Sequence, residues 1–454
     1  MKDLTKEAKR QMFYKKNLSC CRSLVEPSDV LFNNNTVVSS GVIEYVLSPL
    51  VFVFTMWVLQ QAERDGIKKL YFLARDGYPF YQAAMKICQK SGIEIDCRYV
   101  YGSRYSLRVP MYSQNIDEAL DFVCRGGIDV TFRKIMMRSG LTQEQIDKLE
   151  KDYYTFHFDK ICSYKELLNI KQFLKENDQY IFLLRDNSNN RWKNLRAYFE
   201  QENLLEDIQV GIVDSGWTGS TQKTINDIRK RCGIKNKVKG YYFGLYTAPK
   251  DIKKNEYKCF SFDPNRALID RTFFNNCLFE VVYNADHGTT FGYSNNNANG
   301  TIDPILEYHE ISLQKGIVHK RFSEYVDYCV NNTMYNDENV TSFNNALRSI
   351  QKSLRRFMWD PTREEAEYFG SMPFSDDLLD HSMREIAPCF SEEYLKENHF
   401  LNKVLTAFGF RQQVIHESAW FEASAVRSGS HSMYHRASNS AYKMISLFLH
   451  GYGL

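Results

Sequence analysis

The sequence predicts an α/β protein with a parallel-sheet core, a large helical insertion and a mainly helical C-terminal region. Three observations carry that expectation. Leu70–Ala74, Ile208–Val213 and Val238–Leu245 are short continuous apolar runs, as expected of strands covered on both faces. The first two lead into polar turns containing glycine, Arg75-Asp76-Gly77 and Asp214-Ser215-Gly216-Trp217-Thr218-Gly219. Each turn is followed by helical spacing, over Tyr78–Lys90 and through about Arg231. Strand–turn–helix units in series build parallel sheets with a ligand crevice at the carboxyl ends of the strands.

In chain order, residues 1–40 read as an N-terminal extension, beginning with the charged MKDLTKEAKR and no signal-type apolar segment. The α/β core occupies 41–113 and 205–304. Its most apolar stretch, Val42–Leu59, is interrupted by Glu44 and by Ser48-Pro49. Ser48 as cap and Pro49 as first helical residue predict a buried helix to about Arg64, ended near Gly66, rather than a membrane span of about 20 residues. Cys97–Tyr101 is a further strand, leading into Gly102-Ser103-Arg104. Residues 114–204 form the helical insertion, where the DNSNN tract within Tyr180–Phe199 predicts a break between two helices. Asn265–Pro304 is rich in Gly and Asn, and Ser294–Gly300 is loop by composition. Residues 305–454 return to helical patterning, with breaks near Pro361, Pro373 and Pro388 and no internal repeat.

Composition narrows the function classes. With 58 Lys+Arg against 55 Asp+Glu, the net charge of +3 is too small for nucleic acid as the main ligand, so any anion site is local. Eleven cysteines without a Cys-x-x-Cys pair fit neither a zinc ribbon nor a disulfide framework, and point to a reducing cytoplasm. Core packing accounts for most of an aromatic content of 14%, which also allows sugar-stacking surfaces.

The segment that carries chemistry is Ile212–Thr224, IVDSGWTGSTQKT. A buried strand ends in Asp214, a glycine turn exposes backbone N–H groups, and Thr218, Ser220 and Thr221 stand where a helix begins, which together suit a dianionic phosphate. A Walker A loop is excluded, because Gln222 precedes Lys223-Thr224 where that pattern needs glycine. An ordinary hydroxyl-capped turn is the other explanation of the same residues.

Val213–Thr221 resembles the loop of type I phosphoribosyltransferases that binds phosphoribosyl pyrophosphate (PRPP). Asp214 matches the second of that family's two acids, and Thr218-Gly219-Ser220-Thr221 its phosphate cradle, while Val213 replaces the first acid. The run LYFLARDGYPFYQAA looks like the family's first strand, pyrophosphate loop and helix. The set FLARDG, YGSR, VDSGWTGS and FEVVYNADHGTTFGY, with a weaker echo in WFEASAVRSG, resembles domains of bacterial polysaccharide-assembly proteins that add ribofuranose to glycans, often beside a haloacid-dehalogenase-type phosphatase. The phosphatase motif is absent here.

The resemblance implies transfer of 5-phosphoribosyl from PRPP to a hydroxyl of a glycan or lipid-linked oligosaccharide, with magnesium (Mg2+) on the leaving pyrophosphate and a separate phosphatase acting on the product. It also implies a cytoplasmic site of action, at the inner face of the membrane when the acceptor is lipid-linked. Ser215, Gly216, Trp217, Thr218, Gly219, Ser220 and Thr221 are expected at the 5-phosphate. Arg75, Asp76, Gly77, Arg104 and Arg108 are expected at pyrophosphate. Asp214, Asp76 and Arg75 are the expected catalytic groups, Asp214 and Asp76 also the metal ligands. Glu280, Asp286, His287 and Tyr293 are assigned to the acceptor side. A PRPP-binding regulator without catalysis and a nucleobase-salvage phosphoribosyltransferase are the alternatives. A nucleotide-sugar glycosyltransferase is disfavoured by the lack of an Asp-x-Asp motif.

Overall fold

The computed structural model describes residues 5–32, 35–126, 130–296, 298–308, 312–332, 340–375, 383–407, 415–429 and 431–450. Five strands, β1 (Lys69–Leu73), β2 (Asp96–Val100), β3 (Gly211–Trp217), β4 (Lys239–Leu245) and β5 (Tyr257–Phe262), form one sheet in the order β2-β1-β3-β4-β5. All pairings are parallel. The first four strands correspond to the predicted runs. β5 was not anticipated, because YKCFSF alternates between buried and half-buried positions as an edge strand does.

Helices cover both faces. The N-terminal helices are α1 (Lys6–Leu18) and α2 (Arg22–Phe32), followed by α3 (Ser48–Arg64), α4 (Tyr78–Ser91) and α5 (Arg104–Arg108). The insertion holds α6 (Ile116–Val123), α7 (Phe132–Arg138), α8 (Gln143–Asp152), α9 (Tyr164–Glu176) and α10 (Asp178–Gln201). After β3 comes α11 (Ser220–Arg231), and after β5 come α12 (Leu268–Phe273) and α13 (Asn276–Tyr283). The antiparallel hairpin β6 (Thr290–Asn296) and β7 (Thr301–Leu306) leads to α14 (Leu313–Asn332), α15 (Val340–Trp359) and α16 (Arg363–Gly370). A short ribbon, β8 (Pro373–Phe374) with β9 (Arg384–Glu385), precedes α17 (Glu392–Glu397), α18 (Phe400–Ala407), α19 (Phe421–Ser428) and α20 (Ser432–His450).

Side chains alternate across the sheet. Phe72, Val213, Tyr241 and Phe243 face a core shared with α3, α4, α13, α14 and α15, whereas Tyr71, Leu73 and Ile212 face Leu195, Tyr198 and Phe199 of α10 and Ile225 and Ile228 of α11. Phe54 of α3 sits at the centre of the first core, 5.0 Å from the Phe80 ring, 5.2 Å from Phe260 and 5.7 Å from Phe243. Truncating such a ring to alanine costs about 3 to 5 kcal/mol.

Five expectations change. The expected buried helix is present as α3, but Ser48 does not cap it, because a π-helical turn over Ile43–Leu47 runs into it without interruption. The resulting Ile43–Arg64 helix is long and apolar enough to cross a membrane by length and composition, and almost all of it is buried inside the protein. The DNSNN tract lies within the single helix α10: Asn187 bonds back to the Leu183 carbonyl at 2.9 Å and Ser188 accepts from the Ser113 amide at 3.0 Å. The Asn-rich run begins as strand, β6 extending to Asn296. Residues 1–40 are integral rather than appended: buried Arg10 pairs with Glu365 at 3.2 Å and Asp360 at 3.3 Å, and Tyr14 donates to Glu365 at 2.8 Å. The insertion has its own apolar core, which starts upstream of residue 114 at Tyr105 and extends to Leu184.

Candidate functional site

From β1 the chain moves to β2 and from β3 to β4, towards opposite edges of the sheet, so the crevice of an open parallel sheet falls between β1 and β3 at their carboxyl ends. A cleft of about 1150 Å³ lies there. Arg75 and Asp76 line it from the β1 loop, Ser103 and Arg104 from the β2 loop, and Asp214–Thr218, Ser220 and Thr221 from the β3 loop. Glu280 enters from α13 and Lys315 from α14.

The β1 loop is a tight turn in which the Ala74–Arg75 peptide is cis. The Gly77 amide donates to Leu73 O at 3.0 Å, and a Cβ at Gly77 would lie 2.4 Å from that carbonyl oxygen, so only glycine lets α4 start this close to β1. Gly77 therefore shapes the loop, and its amide is not free to meet pyrophosphate as expected. The Arg75 guanidinium makes no ion pair or hydrogen bond among the described residues, while the Arg75 carbonyl accepts from the Ala285 amide at 3.0 Å. Ser103 caps α5, accepting from Ser106 N at 3.0 Å and donating to Thr290 O at 2.7 Å, and so sets Arg104 at the cleft. Arg108, one turn on, does not line the cleft. Its guanidinium lies 4.3 Å from the Phe122 ring centroid, and burial with neighbouring Arg104 lowers it to about 10.

The β3 loop turns through Gly216 at φ 107°, Trp217 at φ 58° and Gly219 at φ 59°. Thr218 N and Gly219 N both donate to Gly216 O, at 2.8 and 3.2 Å, and the Ser215 and Gly216 amides serve the Asp214 carboxylate. The cradle is thus narrower than expected. Its donors are the Ser220 and Thr221 amides in the first turn of α11, which make no backbone hydrogen bond among the described residues, together with the Thr218 and Ser220 hydroxyls, 3.3 Å apart.

Three carboxyl groups converge under this loop. Burial, with the charges of Asp76 and Glu280, holds Asp214 well above the usual carboxylate range. Burial also raises Asp76, against the lowering effects of the Ser215 hydroxyl and of Arg75 and Arg104, and Asp76 Oδ2 is buried without a hydrogen-bond partner. Glu280 is pushed up to about 7 by burial and by Asp76, and it accepts from the Trp217 indole N–H. Asn275 fixes α13 by accepting from Leu278 N at 2.7 Å and donating to Ala419 O at 2.8 Å. Among the described residues no group of three or more His, Cys, Asp and Glu side chains is arranged to hold a metal ion.

The acceptor-side assignments separate. Only Glu280 lines the cleft. His287 is held between the Gly288 carbonyl at 2.8 Å from Nδ1 and the Tyr99 hydroxyl at 2.7 Å from Nε2, and burial lowers its pKa. Asp286 does not line the cleft, and its Oδ1 is buried without a hydrogen-bond partner among the described residues. Tyr293 is a core residue, stacked on Tyr198 at 4.4 Å and donating to Tyr101 O at 2.9 Å. Trp217 keeps one edge at the cleft while its ring packs 5.2 Å from Phe274. The WFEASAVRSG segment is structural: Trp420 is fully buried and donates to Met358 O at 2.7 Å. Sequence reasoning missed Arg125, Asn276, Asn284 and Lys315, which also line the cleft. Their only signal would have been proximity in the fold.

A scan against protein-family models finds none that matches this chain, and a search of curated proteins likewise finds no match.

Proposed function

We propose that the protein is a phosphoribosyltransferase with a type I-like core, moving 5-phosphoribosyl from PRPP to a hydroxyl of a glycan or lipid-linked sugar. The observation that carries this proposal is the meeting of two loops at the carboxyl ends of adjacent parallel strands: one with unpaired Arg75 beside Asp76, the other with Asp214 beside the first-turn amides of α11. In this assignment Ser220 and Thr221 hold the 5-phosphate, Arg75 and Arg104 hold pyrophosphate, and the ribose ring sits at Asp214, all within the one cleft. The cleft exceeds the usual 300 to 1000 Å³ of a single small-molecule site, leaving room for an acceptor.

In the reaction the C1–O bond to pyrophosphate breaks with its electron pair leaving on pyrophosphate, the acceptor oxygen bonds C1, and the acceptor proton passes to a carboxylate. Asp214 hydrogen-bonds the ribose hydroxyls, and the positive charge that develops on the ring favours the ionised form that burial alone opposes, so the carboxylate stabilises that charge. Val213 is buried in the sheet, so the second carboxylate comes from a different direction, through Asp76 and Glu280. Glu280, titrating near neutrality and lining the cleft, is suited to take the acceptor proton. Arg75 and Arg104 neutralise the leaving group. Magnesium fits the residues present: the orphaned Asp76 Oδ2 and the crowded Asp214 carboxyl would hold it alongside substrate oxygens. When bound, it supplies charge neutralisation at pyrophosphate. Removal of the 5-phosphate falls to a separate phosphatase.

The test is calorimetric titration with PRPP and magnesium, followed by measurement of pyrophosphate release with glycan acceptors and with nucleobases. Binding with release that depends on a sugar acceptor and stops in excess chelator is the expected result. Release with a nucleobase would make it a salvage enzyme, binding without release a regulator, and absence of PRPP binding would overturn the proposal.

A further inference from the structure

The cleft contains a buried cation that the two loops do not account for. Lys315, on α14 of the C-terminal helical region, is 6% exposed and lines the cleft. Its Nζ donates to Ala285 O at 3.2 Å, and the amide of the same Ala285 holds the Arg75 carbonyl at 3.0 Å. Ala285 thus ties both cationic residues to one short segment. An ammonium has three donors, and this one has a single acceptor and no ion pair among the described residues. A buried charge without a pairing partner is costly, and a bound anion removes that cost. Arg75 likewise makes no ion pair among the described residues, and two such neighbouring cations suit a multiply charged anion better than a single carboxylate.

We propose that Lys315 binds the pyrophosphoryl group of the donor together with Arg75, so that the C-terminal helical region supplies part of the donor site. The proposal rests on the PRPP assignment above and adds to it a residue more than 230 positions from the β1 loop. The charged and titratable groups facing Lys315 are Arg75 from the β1 loop, Asp286 and His287 from the segment after α13, and His319 from its own helix. Burial, with Arg75, lowers the Lys315 ammonium to about 8, so its charge is lost at moderately alkaline pH unless an anion holds the proton on.

The test uses the full chain and two probes, inorganic pyrophosphate and ribose 5-phosphate, each titrated calorimetrically with magnesium. Lys315→Gln keeps a donor for Ala285 O, and is expected to weaken pyrophosphate about tenfold to a hundredfold while leaving ribose 5-phosphate within about twofold. In the unmutated protein, pyrophosphate affinity is expected to fall between about pH 7 and pH 9.5, a measurement that needs no variant, whereas Lys315→Arg, which stays charged, keeps it. Equal weakening of both ligands by Lys315→Gln, or unchanged pyrophosphate binding with a flat pH profile, would overturn the role of Lys315 and leave the PRPP assignment standing. Failure of the unmutated protein to bind either probe would overturn the PRPP assignment itself, and this proposal with it.

Discussion

Asp214 and Thr218 stand at the carboxyl end of a buried strand and outside the apolar core, which separates their chemistry from folding. Asp214→Asn and Thr218→Val are each expected to lower PRPP turnover about a hundredfold, the usual worth of a contact made to the transition state; Thr218→Val leaves thermal unfolding unchanged, and Asp214→Asn does not lower it, because burial and two neighbouring carboxyl groups already oppose the Asp214 charge. Wild-type turnover in both variants would remove the β3 loop from the donor site. Glu280 offers a test independent of substrate. Its carboxyl is raised from the ordinary 4.5 to about 7, so the folded state holds a proton that the unfolded state releases. Its stabilising contribution is complete below about pH 4.5 and is lost as pH rises through 7. Glu280→Gln should therefore gain on the wild type by at most about 3 kcal/mol between pH 5 and pH 8, measured by denaturant unfolding at both values. A difference that does not change with pH would show that Glu280 is not proton-linked to folding. Arg75, Asp76, Asp214 and Glu280, which line the cleft, were legible as candidates because each is a charged residue in a glycine turn or within an apolar run. Lys315 was not legible, since a lysine in a helical run reads as a solvent-facing side chain, and only the fold brings Ala285 beneath it.

At the scale of elements, what the sequence displayed best was what the sheet buries on both faces. β1, β3 and β4 are continuous apolar runs for that reason, and β5 was hidden because an edge strand exposes part of its surface. α10 was hidden by local polarity that its own backbone and a neighbouring loop satisfy. The β3–α11 turn depends on glycine geometry that a single methyl group would upset. At Gly216 the φ is 107° and an added Cβ would lie 2.5 Å from the Gly244 carbonyl oxygen. Gly216→Ala is expected to cost about 2 to 3 kcal/mol and to abolish donor binding in calorimetry. Gly233, at φ 85° with nothing within 4 Å of an added Cβ, is the control, and Gly233→Ala should cost only about 1 kcal/mol and leave binding intact. Equal effects at the two positions would show that close packing against β4 is not what the turn requires.

For the whole molecule, the boundaries suggested by sequence are looser than the packing. The first core joins the N-terminal helices, the sheet, α3 and the C-terminal helices into one apolar body, which composition along the chain does not reveal because the contacts are distant in sequence. Arg10 marks this joining. Replacing it with methionine leaves Glu365, whose side chain is fully buried, without its cation, and an unpaired buried charge typically costs about 3 to 5 kcal/mol. Arg10→Met should lose stability in that range by denaturant unfolding, and adding Glu365→Gln should recover part of it. A loss below about 1 kcal/mol would mean that the N-terminal helices are only loosely attached to the C-terminal ones. The same continuity has a consequence during synthesis. Ile43–Arg64 leaves the ribosome while α14 and α15, which cover α3, have yet to be translated, and the last of these residues comes about 300 residues later. At the roughly 5 to 20 residues per second of translation, that is about 15 to 60 s in which the nascent chain carries an apolar helix of membrane-spanning length that α4 and the sheet cover only in part. Ribosome-bound chains stalled before residue 313 should therefore be captured by a chaperone or by lipid vesicles, whereas chains stalled beyond residue 359 with their tail extruded should not.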